Sequence, residues 1–120
     1  MADPIVWCDI PVLDLNRAIR FYSAVLGREV GKHEFGGATL GVLPHNEGEV
    51  SGCLVAGAAA KPSDRGVMIY LNANGRLDEA VAAVTPNGGS VIEPKHPIGP
   101  FGFRAIIIDS EGNRVALHSD

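Results

Sequence analysis

Apolar residues along this chain follow two periods in turn, one of strands and one of helices. Ile5 to Val12 reads as a strand ended by a turn at Leu13-Asp14. Leu15, Ala18, Ile19, Tyr22, Val25 and Leu26 then fall at the i, i+3, i+4, i+7 spacing of a one-sided helix. Asp14 is placed to cap it, Gly27 to close it in a left-handed turn, and Arg17, Arg20 and Arg28 mark its wet side and end. Glu29 to Phe35 and Ala38 to Leu43 read as short strands, joined at Gly36-Gly37 by a two-residue hairpin signal. His45 to Glu49 is polar loop, and Ser51 to Ala56 is a fourth strand.

After an aperiodic connector, Gly57 to Gly66, the pattern starts again. Val67 to Asn72 is a strand, and Leu77, Ala80, Val81 and Val84 form a helix stopped by Thr85-Pro86. Strands follow over Ser90 to Glu93, Phe103 to Ile108 and Arg114 to His118, the last two separated by a turn at Asp109 to Asn113. The second half also repeats the first in sequence. At the offset that takes residue 15 to 77, Leu15 meets Leu77, Ala18 meets Ala80, Ile19 meets Val81, Gly27 meets Gly89 and Val30 meets Ile92. Neither half is large enough to bury a core alone, so the two must pack together. The pattern predicts an α+β fold of two βαβββ modules, about 1–58 and 65–120, forming one domain. In it a curved mixed sheet carries both helices on its convex face and leaves the other face free. The seam between modules is where a small-molecule site is expected.

Composition narrows the function classes. At 46% hydrophobic and 20% charged residues the chain is a globular domain rather than a disordered one. A net charge of −4 with no basic run argues against a nucleic-acid partner. No apolar stretch approaches the length of a membrane span, and Met1-Ala2-Asp3-Pro4 has no leader character, so a cytoplasmic protein is expected. Cys8 and Cys53 are far apart and outside any CxxC pair, which reads as two buried reduced thiols, with a disulfide or a nucleophile as alternatives.

Asp9-Ile10-Pro11-Val12-Leu13-Asp14-Leu15-Asn16-Arg17-Ala18-Ile19-Arg20-Phe21-Tyr22, continuing to Val25-Leu26-Gly27, resembles the first module of vicinal oxygen chelate proteins. These include glyoxalase I, bleomycin-resistance proteins and extradiol dioxygenases. Asp109 to Leu117 resembles the turn and final strand of their second module. The resemblance covers nearly the whole chain. It implies the paired-module fold, a small-molecule ligand and a homodimer that completes the clefts, and it speaks less to activity. In metal-dependent members four inward side chains hold a divalent ion that chelates two neighbouring substrate oxygens. The corresponding positions fall here on Trp7, on Val67 or Met68, on Ala116, and within Ser51 to Val55. Trp, Met and Ala do not hold an oxygen-preferring ion, so no divalent metal or other cofactor is expected.

Strand alternation assigns faces. Trp7 and Asp9 share one face while Cys8, Ile10 and Val12 share the other; Met68 goes with Tyr70, and Ala116 with His118. The expected cleft residues are Trp7, Asp9, Met68, Tyr70, Ala116 and His118, with His96 and Phe101 on a Pro/Gly-rich rim, Glu93 to Gly102, where Lys95 and His96 meet an anionic group. Each has a plainer reading, as interface filler, a solvated carboxylate, a fraying C-terminus or a structural turn.

Two functions compete. One is a metal-free module that sequesters an aromatic or cationic compound, in the manner of the bleomycin-resistance branch. The other is a lyase or isomerase of the glyoxalase type, with Asp9 and His118 as acid–base groups or with a displaced ion near His33, His45 and the glutamates beside them.

Overall fold

The computed structural model of the chain describes residues 3–57 and 61–120, so part of the connector lies outside the described residues. The first half runs β1 (Trp7–Val12), α1 (Leu15–Leu26), β2 (Gly31–Phe35), β3 (Ala38–Val42) and β4 (Ser51–Ala56). The second runs β5 (Tyr70–Asn72), α2 (Leu77–Val84), β6 (Ser90–Pro97), β7 (Phe103–Ile108) and β8 (Arg114–Ser119). The βαβββ order therefore occurs twice in an α+β fold. Each half makes its own four-stranded mixed sheet, ordered β1-β4-β3-β2 and β5-β8-β7-β6, the same permutation in both. Its first strand runs parallel to its last, and the other neighbours are antiparallel. Among the described residues no helix is long and apolar enough to cross a membrane.

Of the strand boundaries that differ from the periodicity, three follow from what the backbone can pair with. β1 starts at Trp7 rather than Ile5 because β4 begins opposite it, at Ser51. β5 starts at Tyr70 rather than Val67, since the Arg114 N–H that would extend the ladder is 3.4 Å from the Ser63 carbonyl instead. β6 runs on to Pro97, through what reads as loop in the sequence. It is the edge strand of its sheet, and register shifts on either side of Glu93 absorb Pro94, which has no N–H to give.

Both helices pack on the same side of the sheets. α1 buries Ala18, Phe21, Tyr22 and Val25, and α2 buries Leu77, Ala80 and Val84. They meet Ile10, Val12, Leu54, Ile107 and Leu117 in a single core. Each such side chain contributes about 1.5–3 kcal/mol of burial. The repeat's matched glycines show how closely the halves approach. Gly27 caps α1 at φ 69°, with its N–H on the Ser23 carbonyl 3.0 Å away. Arg76, at the start of α2, lies against it and donates from Nη1 to the Val25 carbonyl at 2.5 Å. At Gly89 a Cβ would stand 2.6 Å from the Phe21 ring of α1 and 2.5 Å from the Ile108 carbonyl. Each glycine thus admits a side chain from the opposite half.

The β7–β8 turn joins the halves through two buried carboxylates. Asp109 takes the Tyr22 hydroxyl at 2.5 Å and the backbone N–H groups of Glu111 and Asn113. Glu111 accepts the backbone N–H groups of Leu13 and Asp14, both at 2.8 Å, at the entrance to α1. It also accepts Arg17 Nε at 2.7 Å and Nη2 at 2.9 Å, together with the Ser110 hydroxyl. Arg17, which reads as a solvated residue in the sequence, is the ion-pair partner. Burial opposes ionisation of Glu111, but the Arg17 guanidinium and the three other donors outweigh it and pull the carboxyl down to about 2. A carboxyl lowered on folding adds stability above its unfolded value, near 4.5, and that stability is lost as pH falls toward 2. Glu111→Gln should cost about 2–3 kcal/mol at pH 7, the scale of lost charge-assisted hydrogen bonds. Between pH 4.5 and 2, its stability in urea titrations should fall less steeply than wild type. Parallel curves would count against this account.

Candidate functional site

On the face of each sheet turned away from the helices, Trp7, Asp9 and Tyr70 are exposed and Arg104 and His118 half-buried, whereas Cys53, Ile106 and the expected cleft residue Ala116 are buried. In the first sheet Trp7 and Asp9 lie on it, and the register places Cys53 beside Asp9. Cys53 Sγ donates to Asp9 Oδ1 at 3.2 Å. The indole of Trp7 meets His45 edge to face, with ring centroids 5.6 Å apart. His45 gives its Nδ1 proton to the Leu43 carbonyl at 2.8 Å, which leaves Nε2 facing out. The same register puts Cys8 on the helix side, so Cys8 and Cys53 point to opposite faces and both are free thiols.

In the second sheet, His96, Arg104, His118 and Asn72 form one cross-strand row over four strands. Tyr70, Ala116 and Ile106 form the next row on the same face. Arg104 donates from Nε to His96 Nε2 at 3.0 Å and from Nη1 to the Tyr70 hydroxyl. His96 holds its other nitrogen against the Pro94 carbonyl at 2.9 Å. A carbonyl only accepts, so His96 carries its proton on Nδ1 and receives Arg104 as a neutral ring. His118 Nε2 lies 2.7 Å from the Phe101 carbonyl, which fixes the proton on Nε2 and leaves Nδ1 as the acceptor of the neutral ring. Tyr70 and His118 meet edge to face at 6.3 Å.

The structure therefore gathers Tyr70, His96, Ala116 and His118 on one sheet and Trp7 with Asp9 on the other. No hydrogen bond joins Asp9 to His118 among the described residues; Asp9 is engaged by Cys53 and His118 by Phe101. Phe101 sits in a single turn of 3₁₀ helix, Gly99–Phe101, with its ring exposed and its carbonyl as the working atom. Met68 precedes β5 and, with Tyr70, lines a cleft of about 990 Å³ between β5, the end of α1 and the segment before β1. Ile5, Cys8, Leu26 and His45 complete its apolar wall and rim. Lys95 and His96, expected to meet an anion together, point to opposite faces. Lys95 is held on the helix side by Asp78 at 3.3 Å and lies 5.2 Å over the Phe103 ring.

Arg104 is absent from the sequence reading, and Cys53 enters it as a buried reduced thiol, without its contact to Asp9. The signal for Arg104 was present, since it is the one charge in the apolar run from Phe103 to Ile108, and alternation places it opposite Ala105 and Ile107. Cys53 gave no such signal, because its partner Asp9 is distant in sequence and met through parallel pairing.

The positions that correspond to metal ligands fit an ion poorly. Trp7, Met68 and Ala116 offer no carboxylate or imidazole, and the only soft donor on β4, Cys53, is turned onto Asp9. No group of three or more His, Cys, Asp or Glu side chains converges among the described residues, those around His33 and His45 included. Burial raises the Cys53 thiol, with Asp9 adding and the Trp7 indole opposing; burial and then Asp9 raise Cys8. Both should resist iodoacetamide in the folded protein at pH 7.5 and label fully in urea. Rapid labelling of folded Cys53 would contradict this placement.

The model of the Glyoxalase/Bleomycin resistance protein/Dioxygenase superfamily matches residues 4–117. No curated protein matches the chain. Among solved structures, a glyoxalase/bleomycin resistance protein from Albidiferax ferrireducens is similar at 18% identity and TM-score 0.75, covering 98% of this chain and 99% of that one. The fosfomycin resistance protein FosX from Listeria monocytogenes is similar at 15% identity and TM-score 0.69, covering 100% and 95%. A glyoxalase I mutant from Zea mays is similar at 21% identity and TM-score 0.71, covering 99% of this chain and 48% of that one. At these identities the three speak to the fold alone.

Proposed function

Since the chain belongs to the glyoxalase/bleomycin resistance/dioxygenase superfamily, we propose that it binds a small organic molecule on the face of its sheets turned away from the helices, without a divalent metal. One observation carries this reading: the positions where metal-dependent members hold their ion bear Trp7, Met68 or Val67, and Ala116, while the same faces present ring pairs and fixed hydrogen-bonding groups. A flat ligand body fits the Trp7–His45 and Tyr70–His118 pairs. Polar atoms at Asp9, Arg104 and His118 then orient it. Function is sequestration or delivery of that ligand rather than chemistry upon it. A second copy of the chain completes the site, because Leu40, Val42 and Val55 lie in register on that face of the first sheet and are only half-buried among the described residues.

A lyase or isomerase is the second reading, and His118 favours it. Its proton is pinned on Nε2 by the Phe101 carbonyl, so Nδ1 is a base of fixed direction. Asp9 is not its partner in that chemistry, because Asp9 Oδ1 takes the Cys53 thiol on the first sheet while the His118 imidazole is held by the Phe101 carbonyl on the second.

A thermal-shift screen of aromatic, cationic and dicarbonyl compounds, with and without EDTA, separates the readings. An aromatic ligand at a hundred times its Kd adds about 2.7 kcal/mol and raises Tm by several degrees. The expected rise is the same with and without EDTA. Stoichiometric zinc, nickel, iron or manganese in protein purified without chelators would overturn the metal-free reading. Ligand turnover that His118→Ala abolishes while binding persists would overturn the binding-only one.

A further inference from the structure

Arg104 stands on β7 in the middle of the second sheet, on the face turned away from the helices, and its surroundings are chemically one-sided. Both groups that hold it are neutral acceptors. His96 takes Nε–H as a neutral ring, and the Tyr70 hydroxyl takes one proton of Nη1. No carboxylate lies within salt-bridge distance of its guanidinium among the described residues, whereas Arg17 is paired with Glu111 and Lys95 with Asp78. Glu93, an acid on the same face, stands 3.8 Å from His96 Nε2 through Oε1 and forms no ion pair with the guanidinium. The guanidinium is thus aimed by two contacts that cancel none of its charge, and both N–H bonds of Nη2 are unassigned. Fixing a long side chain this way costs rotamer entropy and leaves a partly covered cation without a counter-ion. Such a device is useful if a ligand supplies the anion.

From this we propose that Arg104 is the anchor of a carboxylate-binding site, and that the ligand on this face is an aromatic or otherwise flat monocarboxylate. The inference rests on the face turned away from the helices being the binding face. Three features select the class. A single guanidinium fork matches one carboxylate, and no second cation is beside it to balance a phosphate dianion: Lys95 is on the far face, and Arg114 lies ten residues along the chain and four residues before His118 on β8, roughly 13 Å away at ordinary strand rise. The Tyr70 ring, 5.9 Å from the guanidinium carbon, and the adjoining His118 ring supply a flat wall for the ligand body. His118 Nδ1 is an acceptor, so a hydroxyl or N–H on the ligand has a partner there. The same charge disfavours a cationic group beside Arg104.

Calorimetric titration of the full chain with benzoate, benzamide, phenylphosphonate and benzylamine tests the assignment, alongside the ring resonances of Tyr70 and His118. Benzoate should bind saturably and shift both resonances, with benzamide and benzylamine at least tenfold weaker. Arg104→Gln should weaken benzoate at least tenfold and leave benzamide unchanged. Arg104→Lys should restore little, because a point charge does not reproduce the fork. Tyr70→Phe, which keeps the ring and frees Nη1, should weaken benzoate severalfold, and the melting temperature of every variant shows that it is folded. Equal affinity for benzoate and benzamide, or for benzoate in wild type and Arg104→Gln, would overturn the carboxylate assignment while the ring shifts keep the binding face in place. Tighter binding of phenylphosphonate than benzoate would overturn the monocarboxylate class. Absence of any shift at Tyr70 and His118 with all four compounds would overturn both the anchor and the face.

Discussion

Glu111 is one carboxylate from the second half of the chain, and it satisfies the entrance of the first half's helix. The N–H groups of Leu13 and Asp14 have no helical partner, because they precede the first turn of α1, and both end on the same Glu111 oxygen. Arg17, one turn into the helix, closes over both oxygens. Asp109 does similar work two residues earlier by receiving Tyr22 from the buried side of α1. Burying two acids is costly unless each lone pair is met, and no buried side-chain nitrogen or oxygen is left unpartnered among the described residues. The short turn from Asp109 to Asn113 therefore fixes the second sheet against the first helix by directional bonds, where apolar packing alone would allow sliding.

That constraint explains how two sheets with no shared ladder hold a defined relation. The matched glycines act with it. Arg76 reaches the end of α1 only because Gly27 has no Cβ, and the Phe21 ring lies against residue 89 only because Gly89 has none. The halves are locked through their helices and turns, on the covered side, and the strands' other face is released from any structural duty. A face free of that duty can carry polar groups chosen for a ligand.

How much of this could be read in the sequence depended on how local the cause was. The helices were readable because period, Asp14 and Gly27 all lie within one element, and the assignment of Trp7 and Asp9 to one face followed from alternation over three residues. The strand ends were not, since β1 begins where β4 begins, β5 loses its partner where Arg114 turns to the Ser63 carbonyl, and β6 continues where an edge tolerates Pro94. The site was readable by residue and not by pairing. Tyr70, His96 and His118 are legible as residues, but the side chain that links Tyr70 to His96 stands as a lone charge in an apolar run, with nothing local to show its partners. Asp9 and His118 shared an attractive chemistry and no contact, because their strands belong to different sheets.

The row His96–Arg104–His118 then acquires a physical sense that its separate members lack. Two imidazoles flank a guanidinium, each with one N–H direction set by a backbone carbonyl, from Pro94 on one side and Phe101 on the other. A backbone carbonyl cannot change its role, so neither ring is free to switch tautomer without losing a hydrogen bond. The row's donors and acceptors are consequently preset before any ligand arrives, which lowers the ordering cost of binding. In the proposed carboxylate site the charge would be that of Arg104, and its direction would come from the strand register that aligns the three residues.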